Sequence, residues 1–177
     1  MMKIALLGAT GFVGSAILNE ALSRGHSVTA VVRDTEKLKP GERLVVKMGD
    51  VYDNDSLETL IRGHDAVISA FNPGWKDPNL YQDQVRGTTS IISAIKKAGV
   101  KRVLWVGGAG GLEVKPGVRV IDNPDMPDWV MPVLWQLSTR WSNYGKNRSL
   151  SGRFWRLPQR CSREIGLGNS ASEPTCF

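Results

Sequence analysis

KIALLGATGFVG, residues 3–14, joins an apolar run to three glycines and to the start of an amphipathic segment. Ile4 to Leu7 end at Gly8, Gly11 and Gly14 follow at three-residue spacing, and Phe12 to Arg24 carry a helical pattern. This is the signature of a buried strand, a tight turn and the first turn of a helix. Such a junction aims backbone N–H groups and the positive end of a helix dipole at one point, which suits a phosphate. The spacing alone is weak in a chain with 19 glycines in 177 residues; its position at a strand-to-helix junction gives it weight.

Working outward, Val13, Ala16, Ile17 and Ala21 supply one apolar helical face, and Gly25 ends the helix. Ser27 to Val32 is a continuous β-branched run, as expected of a parallel strand covered on both faces. Leu44 to Val46 form a third strand ended by Gly49-Asp50. Asp55 is expected to cap a short helix, with Glu58 three residues on and Leu57, Leu60 and Ile61 as its apolar stripe. Ala66 to Phe71 is the fourth strand, and a proline- and glycine-bearing loop with Trp75 follows. A helix marked by Val85, Ile91, Ile92, Ile95 and Ala98 ends at Gly99, and Arg102 to Val106 is the fifth strand. Alternating strands and helices with right-handed crossovers predict an α/β, Rossmann-type doubly wound parallel sheet in the order 3-2-1-4-5.

The charge balance divides the chain. Residues 1–131 hold 16 Lys+Arg against 15 Asp+Glu, whereas residues 132–177 hold 7 against 2. The net charge of +6 thus belongs mainly to the tail, which argues against a nucleic-acid partner for the rest. The apolar run at the start is too short for a signal peptide, and no run approaches the roughly 20 residues of a membrane helix. The two cysteines, Cys161 and Cys176, form neither a disulfide framework nor a metal site. A cytoplasmic protein with no membrane, nucleic-acid or metal partner is expected; the oligomeric state is not legible.

Four turns follow strand ends and share one crevice in this fold: Gly8 to Gly14, Arg33-Asp34, Gly49-Asp50-Val51, and Phe71-Asn72-Pro73-Gly74. Together they point to a dinucleotide site, although some glycines there also serve as plain turn residues. At the second strand's end a carboxylate would accept from both ribose hydroxyls of NAD and repel a 2′-phosphate, which a guanidinium would pair. Strand phase selects Arg33 and therefore NADP. The customary spacing of about 20 residues from the last glycine selects Asp34, so NAD stays open. Asp50-Val51 would hold adenine, the carboxylate accepting from its amino group, or Asp50 only begins a turn.

GATGFVG, VTAVVRD, GDV, AVISAFNPGW and KRVLWVGGAGGLEV…PG, in this order, resemble the atypical, NmrA-like branch of the short-chain dehydrogenase/reductase superfamily. The likeness is to small bacterial NAD(P)H-binding proteins of the NAD-dependent epimerase/dehydratase or NADH-flavin reductase type, and covers residues 1 to about 131. The resemblance implies that Gly8, Thr10, Gly11, Phe12 and Val13 line the pyrophosphate and Arg33 the adenosine ribose. It also implies adenine at Asp50 and Val51, the nicotinamide ribose beside Ala70, Phe71 and Asn72, and the nicotinamide near Gly107 and Gly108. The implied activity is hydride transfer from NADPH to a small acceptor such as flavin or quinone, or else non-catalytic sensing of the dinucleotide.

The departures are informative. The superfamily's Tyr-x-x-x-Lys acid is missing, because none of Tyr52, Tyr81 and Tyr144 has Lys four residues on, and Gly107-Gly108 stand where its Ser would lie. No catalytic residue is therefore assigned. His26 and His64 read as turn residues, and Trp75 as either a substrate contact or a loop anchor.

Residues 132–177 follow neither the helical nor the strand period, and are expected to be irregular. Read two bases out of frame with permitted codons, Ser151 to Phe177 yield WTVLAPAAEMQPGNRTGKFRLGTDLF, which resembles the family's sixth strand and the loop after it. A one- or two-base indel between about Pro132 and Arg140 would explain this, leaving a fifth strand with an exposed apolar edge and a truncated, inactive paralogue as one outcome. The coding DNA tests it: bases that forbid the displaced reading exclude the indel.

Overall fold

A computed structural model describes residues 1–75, 77–108 and 113–125, together with the backbone of 151–155. Its element order is β1 (Lys3–Leu7), α1 (Phe12–Ser23), β2 (Ser27–Val32), β3 (Leu44–Met48), α2 (Asn54–Ile61), β4 (Ala66–Ser69), α3 (Leu80–Ala98) and β5 (Arg102–Val106). A small hairpin, β6 (Glu113–Lys115) and β7 (Val118–Arg119), and a last strand, β8 (Ser151–Trp155), complete it.

The main sheet runs β3-β2-β1-β4-β5-β8, with every pair parallel. The expected order 3-2-1-4-5 is therefore the observed one. Alternation along β1 explains the two cores. Ile4 and Leu6 face the layer holding Leu18 and Ala21 of α1 and Val28, Ala30 and Val32 of β2. Ala5 and Leu7 face the opposite layer, with Leu57 and Ile61 of α2, Ile91 and Ile95 of α3, Val67 and Trp105. Helices thus cover both faces, as the unbroken apolar strands require.

The edge of the sheet where β1 begins is stapled by backbone and side chains. Lys3 N–H donates to Asp65 Oδ2 at 2.7 Å, Asp65 N–H returns to Lys3 O at 2.8 Å, and Met2 N–H donates to His26 Nδ1 at 3.3 Å. His64 bridges Ile61 O and the Thr29 hydroxyl at 3.0 Å and 2.8 Å. Both histidines therefore serve as turn fasteners at this edge, away from the strand ends that carry the candidate site.

Several boundaries differ from the sequence reading. Asp53, not Asp55, caps α2: its carboxylate accepts from Ser56 N–H at 3.2 Å, while Asp55 points to Lys97 of α3 at 3.0 Å. Both acids precede apolar positions, and only the turn Asp50–Asp53 decides between them. The fourth strand ends at Ser69, the third runs on to Met48, and α3 starts at Leu80. The β6–β7 hairpin lies outside the sequence reading; β7 leads into a short helical turn in which Ile121 is buried and Arg119 pairs with Asp122 at 2.9 Å.

The tail supplies the largest correction. Ser151–Trp155 forms β8 and pairs with β5 from Arg102↔Ser151 to Val106↔Trp155, so the β5 edge is covered. Ladder bonds join backbone groups, and an unpaired edge accepts an extended segment whose side chains carry no strand pattern. The remaining tail, residues 132–150 and 156–177, lies outside the described residues, as do the Tyr144 and cysteine readings. Among the described residues, no helix is long and apolar enough to cross a membrane.

Candidate functional site

The turn after β1 is shaped by close backbone approach. Gly8 has φ +78°, a conformation L side chains rarely adopt, and a Cβ there would lie 2.6 Å from the Ala70 carbonyl oxygen. A Cβ on Gly14 would lie 1.9 Å from Gly8 O. Gly11 N–H closes the turn on Gly8 O at 3.0 Å, and α1 begins one residue later. Gly11 is the N-cap, no side chain caps the helix, and its first turn carries no acid. The first N–H groups of α1 are thus left to an external acceptor, and the dipole there favours an anion. Thr10, Gly11 and Phe12 are exposed around this point, Phe12 at 74 %, and Val13 is half-buried.

At the end of β2 the two candidate side chains have different engagements. The Asp34 carboxylate accepts from Glu36 N–H at 3.1 Å, capping a short helical turn, and lies 3.6 Å from Lys37 Nζ. Arg33 is exposed and has no ion-pair partner among the described residues.

The turn after β3 carries Asp50 and Val51. Gly49 is there for packing, because a Cβ would lie 2.6 Å from Leu60 Cδ1 and 2.8 Å from Val31 Cγ1. Asp50 Oδ1 accepts from Tyr52 N–H at 2.9 Å, and Asp50 O from Asp53 N–H at 3.1 Å. Asp50 therefore does build a turn, yet it remains exposed. Val51 packs against the core beneath it.

Beyond β4, Ala70 N–H donates to Leu7 O at 2.9 Å, which extends the ladder and brings the Ala70 carbonyl against Gly8. The Phe71 ring turns away toward α3 and meets Tyr52 edge-on, so only its backbone stays at the strand end. Asn72 Oδ1 accepts from Gly74 N–H at 2.8 Å, and Trp75 in the same loop is exposed. Gly107 and Gly108 leave β5 at the same edge of the sheet, and a Cβ on Gly107 would meet nothing within 4 Å. The carboxyl ends of β1 to β5 thus bring their candidates to one edge, with the β1 and β4 turns in direct contact.

Five residues at this edge have no role in the sequence reading: Tyr52, Arg86, Gly87, Gln84 and Thr88. Tyr52 lies under Arg86, whose guanidinium carbon is 4.6 Å from the ring centroid, and its hydroxyl donates to Asp83 O at 3.4 Å. Burial pushes this phenol above its ordinary range, and Asp83, Asp50 and Asp77 add to the shift while Arg86 opposes it. That direction is opposite to what an activated tyrosine acid needs. Gly87 on α3 makes room for the Phe71 ring, and Gln84 is buried beside Thr88, its Nε2 donating at 3.3 Å. Gln84 and Thr88 sit four apart on the buried stripe of α3; two polar residues at that spacing were the available signal.

A family described as NAD(P)H-binding matches residues 8–135. The Bacillus subtilis protein YwnB is 35 % identical over 148 residues, covering 82 % of this chain and 63 % of its own length. Cinnamoyl-CoA reductase 1 of Petunia hybrida is 29 % identical, over 81 % of this chain and 46 % of the reductase. The chain thus spans only about half to two-thirds of these curated relatives. Among solved structures, a protein from Bacteroides thetaiotaomicron provisionally named an epimerase is 44 % identical with a TM-score of 0.77. It is matched over 88 % of this chain and 70 % of that one. A protein from Streptococcus pneumoniae provisionally named an NADH-flavin reductase is 30 % identical, TM-score 0.69, over 88 % and 71 %.

Proposed function

We propose, from the premise that this chain belongs to the NAD(P)H-binding family, that it is an oxidoreductase using NADPH to reduce a small acceptor of flavin or quinone type. The observation that carries the reading is the uncapped, acid-free N-terminus of α1 behind the Gly8 turn, at the switch point between β1 and β4.

In this reading the N–H groups of Phe12 and Val13 receive the pyrophosphate, while Gly11, whose own N–H closes the turn on Gly8 O, lines it together with Gly8 and Thr10. Arg33 pairs with the 2′-phosphate, since Asp34 is already spent on its helical turn. Asp50 offers its second carboxylate oxygen to the adenine amino group above Val51. Ala70, Phe71 and Asn72 lend backbone to the nicotinamide ribose, Gly107 and Gly108 leave room for the ring, and Trp75 faces the acceptor. Bound NADPH supplies a hydride. Among the described residues no side chain is assigned as a dedicated acid, and a flavin or quinone acceptor needs none, because its proton comes from water.

The test is NADPH oxidation with flavin and quinone acceptors. Turnover with either supports the reading, and absence of binding to both NADPH and NADH overturns it. A second reading, a non-catalytic dinucleotide sensor, is favoured by the missing Tyr-x-x-x-Lys pattern; tight NADPH binding without turnover would select it. The tail reading is tested alongside it. If the displaced frame is the native one, restoring it should raise turnover while leaving NADPH affinity unchanged.

A further inference from the structure

The turns after β3 and β4 meet through one ring. Asp50 Oδ1 holds the N–H of Tyr52 at 2.9 Å, and the Tyr52 ring meets Phe71 at 6.0 Å between centroids with an interplanar angle of 88°. The Arg86 guanidinium lies over the Tyr52 ring, and the hydroxyl reaches Asp83 O on α3. The pair is seated only because position 87 has no side chain: a Cβ on Gly87 would lie 2.4 Å and 2.5 Å from Phe71 ring carbons and 3.3 Å from Tyr52 Cε1. Next to Phe71, the Ala70 carbonyl is the surface against which Gly8 is pressed. A continuous line of contact therefore runs from Asp50 through Tyr52, Phe71 and Ala70 to Gly8.

We propose that Tyr52 is a positioning residue that sets the distance between the adenine end and the nicotinamide end of the cofactor site, acting through Phe71 on a seat provided by Gly87. The proposal rests on the cofactor reading above. A dinucleotide gains affinity from its two linked halves only when both subsites are spaced to match it. A ring held by Phe71 and Arg86 together fixes that spacing better than a turn hydrogen bond alone. Edge-to-face and cation–π contacts supply the rigidity without any contact to the ligand.

The experiment measures binding of NADPH, adenosine 2′,5′-bisphosphate and reduced nicotinamide mononucleotide by calorimetry, using the full chain. Tyr52→Leu is expected to weaken NADPH about tenfold while each half alone changes by less than about twofold, since only the linkage is lost. Tyr52→Phe keeps both ring contacts and should bind like the unaltered chain. Gly87→Ala, which displaces Phe71, should resemble Tyr52→Leu and serves if the latter fails to fold. Unchanged NADPH affinity in both disruptive variants, or a loss carried by the adenosine half alone, overturns the proposal. Amide exchange without ligand separates this from the cofactor reading. Tyr52→Leu should speed exchange in residues 50–53 and 70–72 together, and faster exchange in one turn only overturns the joint. An unaltered chain that binds neither NADPH nor NADH overturns the cofactor reading, and this proposal with it.

Discussion

The turn after β1 and the joint between the turns after β3 and β4 stand side by side at the crevice and are built by opposite means. The first is shaped by missing side chains: Gly8 and Gly14 let backbone approach backbone to distances no Cβ tolerates. The second is shaped by added ones, with Tyr52, Phe71 and Arg86 filling the space and Gly87 yielding to them. The obstacle at Gly14 is a carbonyl fixed in a turn, while the obstacle at Gly87 is a ring that can rotate away. Backbone-built geometry tolerates no added side chain; ring-built geometry is rigid only while its partners stay in place, and its failure is expected in ligand affinity before it shows in stability.

The sharpest way to break this contrast is Gly14→Ala. A methyl 1.9 Å from Gly8 O forces the turn or α1 to move, and a loss of about 3 kcal/mol is expected in urea unfolding, with NADPH binding abolished. A Gly14→Ala chain as stable as the original would mean that the turn is as forgiving as the joint. Smaller is the effect of Arg33→Asp, which should shift preference from NADPH toward NADH by about tenfold, roughly 1.4 kcal/mol. Parallel titrations with the two cofactors check it, and no shift would remove Arg33 from the site. Next, Asp53→Ala should cost about 1 kcal/mol by thermal or urea unfolding and Asp55→Ala less than about 0.5, because the first removes a helix cap and the second an exposed ion pair. The reverse order would restore Asp55 as the cap.

The smallest effect concerns pH. The Tyr52 phenol ionises later in the folded chain than in the unfolded one, so folding retains a proton that the unfolded chain releases. The stability this contributes is fully present below pH 10, the ordinary tyrosine value, and is lost as pH rises through the higher folded value. An alkaline stability series should fall less steeply in Tyr52→Phe than in the unaltered chain. Equal slopes would show that the phenol is not shielded by its neighbours.

The same contrast explains what could be read in the sequence. Gly8, Gly11 and Gly14 report local backbone requirements within seven residues, and the apolar runs of β1, β2, β4 and β5 report burial on both faces of a sheet. Strand order followed from those runs and the handedness of their connections. The Tyr52–Phe71–Gly87 joint unites residues 16 to 35 positions apart, and nothing local distinguishes its tyrosine from a surface one. Asp53 and Asp55 are chemically equivalent caps until the turn fixes one of them. Ser151–Trp155 carries no strand pattern, and its pairing is a demand of the open β5 edge rather than a property of its own residues.

The staples at the edge where β1 begins have a practical consequence. Lys3, Asp65, Met2 and His26 fasten that edge, and β1 runs five residues from there to the Gly8 turn, about 16 Å at the rise of a strand. An anchor attached ahead of β1 therefore leaves the molecule on the side facing away from the crevice. Tethered to a surface that way, the protein would present the edge of the sheet that carries the glycine turn to the bulk solution, and a sensor electrode or bead could be loaded without covering that edge.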